Sequence, residues 1–184
     1  MEAGQTNKSW LSAVKLVGQS EAMQMNIVAI GAHPDDLEIF TFGFLTAASA
    51  RGDTLYLGVA TDGAAGGENP GPELATQRAN ETSAGLAPLG IPTLLGLPDG
   101  RLADAPKARE RITDFIRAAA PDLVITHAPE DYHPDHRALS SFVTDAVGFI
   151  CPVLFCDTLM GVGFTPDYYI DISEHFTAKQ NAIM

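Results

Sequence analysis

The stretch Asn26-Ile27-Val28-Ala29-Ile30-Gly31-Ala32-His33-Pro34-Asp35-Asp36-Leu37-Glu38 decides how this chain folds. Its opening run, Asn26 to Ile30, is apolar and short, and reads as a strand buried in a parallel sheet. Pro34 keeps His33 out of the α region, so the chain stays extended up to the histidine. Asp35 and Asp36 then fall where a helix should begin, and a carboxylate there accepts free backbone N–H groups and suits the positive end of the helix dipole. One imidazole and two carboxylates are thus presented at the carboxyl end of a strand, the edge at which open α/β sheets bind ligands. Capping accounts for the aspartates but not for the histidine beside them.

The same triplet returns as His133-Pro134-Asp135, followed at once by His136. It too follows a buried strand, Asp122 to Thr126 ending at His127, and precedes a helix that should run from Asp135 or His136 to about Val147. If the two strands are neighbours in a parallel sheet, His33, Asp36, His133 and His136 converge on one point. Two histidines and a carboxylate with an open fourth position make a catalytic zinc site, and iron(II) accepts the same set. Bound zinc lowers the pKa of its water to about 7, and a second carboxylate beside the metal can take the proton.

Between and beyond these copies, strands and helices alternate. Helical composition is expected over Phe40–Ala50, Glu73–Leu89 and Ala105–Ala120, and a last helix after Ser173. Strands are expected over Thr54–Thr61, Thr93–Leu97, Pro152–Phe155 and Tyr168–Ile172. Gly63 to Pro72 reads as a long flexible loop over the site, because its glycines and prolines exclude regular structure. The pattern predicts a Rossmann-like, doubly wound α/β fold with a mostly parallel sheet flanked by helices. A nucleotide-binding Rossmann domain is disfavoured, since the first strand leads into His-Pro-Asp-Asp and not a glycine-rich phosphate cradle.

The chain has 184 residues, 46% hydrophobic and 18% charged, which suits one soluble domain with a substantial core. Its formal net charge of −12 argues against nucleic acid and anionic membranes as partners. No stretch has the length of a membrane span, and residues 1–25 carry no signal-peptide pattern. They read as a flexible extension ahead of a domain over 26–184. Cys151 and Cys156, an odd separation apart on one strand, point to opposite faces and read as free thiols, which fits the cytoplasm.

With these residues in view the chain resembles the LmbE/PIG-L family of zinc-dependent N-acetylglucosaminyl deacetylases. The matching motifs are Gly31 to Glu38, Thr61-Asp62-Gly63, Leu74 to Glu81, Leu97-Pro98-Asp99-Gly100, and Thr126-His127 with Tyr132 to His136. The resemblance implies an LmbE-like fold and one zinc per chain held by His33, Asp36 and His136. It implies Asp35 as general base and His133, as a cation, stabilising the oxyanion of the tetrahedral intermediate. The implied activity is removal of an N-acetyl group from an amino sugar or related conjugate, a small-molecule substrate, with a homo-oligomer compatible. The alternatives are a zinc amidase on a thiol conjugate or antibiotic precursor, and a non-catalytic member of the fold.

Arg78 falls where the family holds a substrate-contacting arginine, and it also stands one turn from Glu81. Asp99 matches a carboxylate that binds sugar hydroxyls, and it also suits a turn. Tyr132 either lines the pocket or packs on its loop. His127 reads as packed or as a partner of a ligand, and Glu38 as favouring the helix start. The family pattern Ile-Gly-x-Gly-Gly is here Ile39-Phe40-Thr41-Phe42-Gly43-Phe44, which puts bulky aromatics beside the pocket and the sugar preference in question. Family members continue past the helix near Ser173, so a shortened C-terminus is expected.

Overall fold

The computed structural model describes residues 23–184; the greater part of the expected N-terminal extension lies outside them. Five parallel strands form one sheet: β1 (Asn26–Gly31), β2 (Thr54–Thr61), β3 (Thr93–Leu97), β4 (Leu123–His127) and β5 (Val153–Cys156). Their order is β3-β2-β1-β4-β5. β1 pairs with β4 through Ile27–Leu123, Val28–Val124 and Ala29–Ile125, so the two His-Pro-Asp turns leave adjacent strands. The chain order reverses here, and such a switch point opens a crevice at the carboxyl ends of the strands.

Helices cover both faces. On one, α3 (Ala108–Ala118) and α4 (Pro134–Val147) bury Ile112, Ile116, Leu139 and Val143 against Val28, Ile30 and Val124. On the other, α1 (Phe42–Arg51), α2 (Pro72–Leu86) and α5 (Phe176–Ile183) enclose Phe42, Leu45 and Leu86 with Ile27, Ala29, Leu57 and Ile125. Strand β1 thus reads as a continuous apolar run because alternate residues serve opposite cores. Gly58 on β2 lets Phe115 of α3 cross it, since a Cβ there would stand 2.6 Å from the ring.

A five-residue π turn, Leu37–Thr41, precedes α1. The Thr41 hydroxyl donates to the Leu37 carbonyl at 2.9 Å within it. Such wide turns are frequent at functional sites. Helices α2 and α3 are shorter than their composition suggests: α2 stops before Pro88, and α3 starts after Pro106.

The expected strand Tyr168–Ile172 does not form. The segment is irregular, with Tyr168, Tyr169 and Ile170 exposed, although its composition is β-prone. Asp171 instead makes a local turn, accepting from Ser173 N at 2.9 Å and from Ser173 Oγ at 2.6 Å. That occupies the Ser173 hydroxyl, so it does not cap a helix; a short 3-10 turn leads into α5. Both cysteines are free.

Candidate metal and catalytic site

Gly31 ends β1 because the chain doubles back on it: a Cβ there would lie 2.7 Å from Asp36 Cβ. Asp36 does not cap the following turn. Its Oδ2 accepts from His33 N at 2.7 Å, which turns the carboxylate toward the crevice. His133 is the N-cap of α4, its Nδ1 accepting from Asp135 N at 3.2 Å, and this places His136 in the first turn facing β1.

The donor atoms of His33, Asp36 and His136 meet. His33 Nδ1 is 3.2 Å from His136 Nε2 and 3.5 Å from Asp36 Oδ2, and His136 Nε2 is 3.5 Å from Asp36 Oδ1. Ligand atoms around a tetrahedral ion with bonds of about 2.0–2.1 Å stand about 3.3 Å apart, so the trio could hold a metal through one or other Asp36 oxygen, as could His33 with His133 and His136, or Asp36 with His127 and His136, whose ligand atoms lie within 4.8 Å of one another. The remaining ring nitrogens are held by carboxylates: His33 Nε2 lies 3.2 Å from Asp99 Oδ1 and 3.3 Å from Asp135 Oδ2, and His136 Nδ1 lies 3.0 Å from Asp131 Oδ2. A carboxylate demands an N–H, so in the neutral rings the lone pairs fall on His33 Nδ1 and His136 Nε2, which face each other across the gap.

The electrostatics are those of a place made for a cation. Burial lowers the His33 pKa, but hydrogen bonds to Asp135, Asp36 and Asp99 outweigh it and raise it to about 11. His136 is raised likewise, its burial overcome by Asp36 and Asp131. Burial pushes the Asp36 carboxyl up, but the three surrounding histidines outweigh that and hold it well below the carboxylate range. In the metal-free protein, a proton on His33 supplies positive charge among these carboxylates.

His133 behaves differently. Burial, then the positive charge of His33 and His136, lowers its pKa. With Nδ1 accepting the cap hydrogen bond, its proton sits on Nε2, so the arrangement favours a neutral donor over the cation expected from sequence. Asp35 is also distinct: its φ is 97°, in the region L-residues rarely adopt, and its side chain is 57% exposed. Partial burial and the Asp36 charge raise its pKa, against the pull of Arg78.

Arg78 pairs with the turn and not with Glu81. Its Nη2 donates to Pro34 O at 2.7 Å and Asp35 Oδ2 at 3.1 Å, and its Nη1 to Gly63 O at 3.2 Å. Both oxygens of Asp99 are engaged, Oδ1 with His33 and Oδ2 accepting from Ala65 N at 2.9 Å. The loop expected to be flexible is therefore tied down at its start. Tyr132 is 53% exposed on the loop before α4 and has no described contact with the cluster.

Sequence reasoning missed Asp131 and Asp135 as holders of the two histidines. The one signal was their spacing: Asp131 is two residues before His133, whose N–H its Oδ1 accepts at 2.8 Å. His127 is a partner and not mere packing: its Nε2 lies 3.0 Å from Asp36 Oδ2, and its ring stacks on His136 at 3.7 Å. Glu38 is buried and hydrogen-bonded to the Thr82 hydroxyl of α2, which fastens that helix to the turn.

Fold and cluster together define an α/β protein with a metal-competent centre at the switch point of its sheet. The chain belongs to the PIG-L family, whose model, described as GlcNAc-PI de-N-acetylase, matches residues 28–147. Its fold is shared by the conserved protein TT1542 from Thermus thermophilus, at TM-score 0.72 and 27% identity over 87% of this chain and 77% of that one. It is also shared by N,N'-diacetylchitobiose deacetylase from Pyrococcus horikoshii, at TM-score 0.73 and 22% identity over 100% and 79% of the two chains. GalB, the 4-carboxy-2-hydroxymuconate hydratase of Pseudomonas putida, has the same fold at TM-score 0.70 and 18% identity over 85% and 76%.

Proposed function

We propose that this protein is a zinc-dependent N-deacetylase acting on an amino sugar or related conjugate. The observation that carries the reading is the mutual approach of His33 Nδ1, His136 Nε2 and the Asp36 carboxylate to 3.2–3.5 Å, with each imidazole turned by a carboxylate behind it. These three residues would hold the ion, which when bound polarises the amide carbonyl and acidifies a water.

The rest falls to the chain's own groups. Asp35, with its raised pKa, takes a proton from the attacking water as oxygen bonds to the carbonyl carbon. The His133 Nε2–H donates to the carbonyl oxygen as it gains charge. When the C–N bond breaks, Asp35 returns the proton to the leaving nitrogen, which yields acetic acid and a free amine, and the acid's remaining proton passes to the amine to give acetate and an ammonium group. Arg78 holds Asp35 by one oxygen and fixes the turn in its uncommon backbone conformation.

The test is acetate release by the zinc-loaded protein from N-acetylglucosamine, its β-glycosides, N,N'-diacetylchitobiose and N-acetylated thiol conjugates. Release from a sugar member, lost in Asp35→Ala, is expected; release from the thiol conjugates alone would select the amidase alternative. No release from any member by folded, zinc-loaded protein would refute the reading.

A further inference from the structure

Helix α2 meets the turn after β1 at two points. Arg78 reaches the start of the turn, donating from Nη2 to Pro34 O at 2.7 Å and to Asp35 Oδ2 at 3.1 Å. Thr82, one helical turn along the same face, reaches its far side, where the hydroxyl donates to Glu38 Oε1. The second contact is deeply buried: Thr82 is 2% exposed and Glu38 3%. Gly85, further along that face, lets α5 close over it, since a Cβ there would lie 2.7 Å from Ala182 O and 3.3 Å from Glu38 Cγ. Glu38 Oε2 has no hydrogen-bond partner among the described residues.

For stability alone this is a poor contact. A carboxyl group taken out of water with one oxygen unpartnered is less favourable than an apolar pair filling the same space. What the hydrogen bond adds is direction, which apolar burial lacks. A slip of α2 by one residue would carry Arg78 about 1.5 Å along the helix axis, too far for its bonds to Pro34 O and Asp35 to survive. Asp35 needs that precision, because its φ of 97° persists only where surrounding contacts over-determine it.

We propose that Thr82 and Glu38 are positioning residues for the base: their buried bond fixes α2 along its axis, so that Arg78 holds Asp35 toward the reacting carbonyl. This role rests on the deacetylase reading above, and it is exerted through Arg78 without contact with substrate.

The test is a double-mutant cycle between Thr82→Val and Asp35→Asn in the zinc-loaded full chain, on the glycoside that the parent protein deacetylates best. Valine keeps the shape of threonine and removes the donor. Thr82→Val should lower kcat about tenfold to a hundredfold, the scale of a misplacement of roughly 1 Å, with KM and zinc content unchanged. Thr82→Ser, which restores the hydroxyl, should recover the loss. In the Asp35→Asn background Thr82→Val should lower kcat by no more than about twofold, because the group it positions is already gone. Equal losses in both backgrounds would make the pair a general brace of the fold and overturn the proposal, as would parental kcat in Thr82→Val. Should Thr82→Val misfold, Thr82→Ala takes its place in the cycle.

Nuclear magnetic resonance supplies a readout independent of turnover. In Thr82→Val the Asp35 amide resonance should shift, and the Ile39 amide, which donates to Asp35 O at 2.9 Å, should exchange with solvent faster, both reverting in Thr82→Ser. If no glycoside is deacetylated, the function above is refuted and these signals alone decide the positioning role. An unmoved Asp35 resonance overturns it.

Discussion

In the proposed zinc site, Asp131→Asn separates the placing of the His136 ligand from the mere filling of space. Asp131 is 1% exposed, its Oδ2 is 3.0 Å from His136 Nδ1, and its Oδ1 accepts from His133 N at 2.8 Å. Asparagine keeps the volume, and its Oδ1 can still take the His133 N–H. Its Nδ2, however, turns a donor toward His136 Nδ1. The ring satisfies that donor by keeping a lone pair on Nδ1 and moving its proton to Nε2, the atom that faces His33 and Asp36. Metal must then displace a proton from the ligating nitrogen or pull the ring out of place. Substitution of carboxylates behind ligating histidines weakens metal affinity by about 10- to 100-fold, or about 1.4–2.7 kcal/mol. The assay is zinc competition against a chromophoric chelator, with circular dichroism to show that the metal-free variant is folded. Zinc affinity equal to that of the parent protein would refute the tautomer argument.

Four further outcomes are expected. Asp35→Asn should lower kcat by about 10²–10⁴ with zinc content unchanged by elemental analysis; asparagine tolerates positive φ, so a collapse of the fold would contradict the assignment. Because the His33 pKa is raised from 6.5 to about 11, its contribution to the stability of the metal-free protein is complete below 6.5 and is lost as pH climbs toward 11. Metal-free melting temperature should fall over that window while zinc affinity rises, since zinc displaces the proton; zinc affinity independent of pH would contradict the cluster. Asp99→Ala should weaken zinc binding as well as turnover, whereas a residue that only bound sugar would raise KM and leave metal affinity alone. Gly58→Ala, which drives a methyl into the Phe115 ring, should cost about 1–3 kcal/mol in urea denaturation, and unchanged stability would show that α3 yields there.

The sheet was largely legible because each strand carries its own apolar run and each ends at a polar turn. What local pattern cannot carry is the partner. Tyr168 to Ile172 has the composition of a strand, yet it is not part of the sheet among the described residues, and Asp171 closes a turn with Ser173 instead. The same limit applies inside the site. His33, Asp36, His133 and His136 announce themselves by spacing, because each motif is local. Asp135 holding His33 is a bond across 102 residues, and Asp99 behind the same ring looked like an ordinary turn residue after a proline. The approach of β1 to β4, which brings Asp135 to His33, is a property of strand order and is written in neither motif, and Asp99 reaches the same ring from the turn after β3 on the other side of β1.

The division of the carboxylates argues for one further economy in the centre. Asp36, Asp99, Asp131 and Asp135 each stand within 3.0–3.5 Å of an imidazole nitrogen. Their negative charge is committed to orienting histidines or to a cation among them, and Asp99 and Asp135 use further oxygen capacity on the backbone N–H groups of Ala65, Gly100 and Leu102. Asp35 has no imidazole among its described hydrogen bonds; Arg78 holds its Oδ2. It is the exposed member, its pKa is pushed upward while those of Asp36, Asp99 and Asp135 are pushed down, and its backbone sits at a φ of 97° to face outward from the same turn. A base must meet solvent, keep an oxygen available and hold a proton more readily than its neighbours. Adjacent aspartates can therefore differ in role: the turn that buries Asp36 against the histidines leaves Asp35 facing the water.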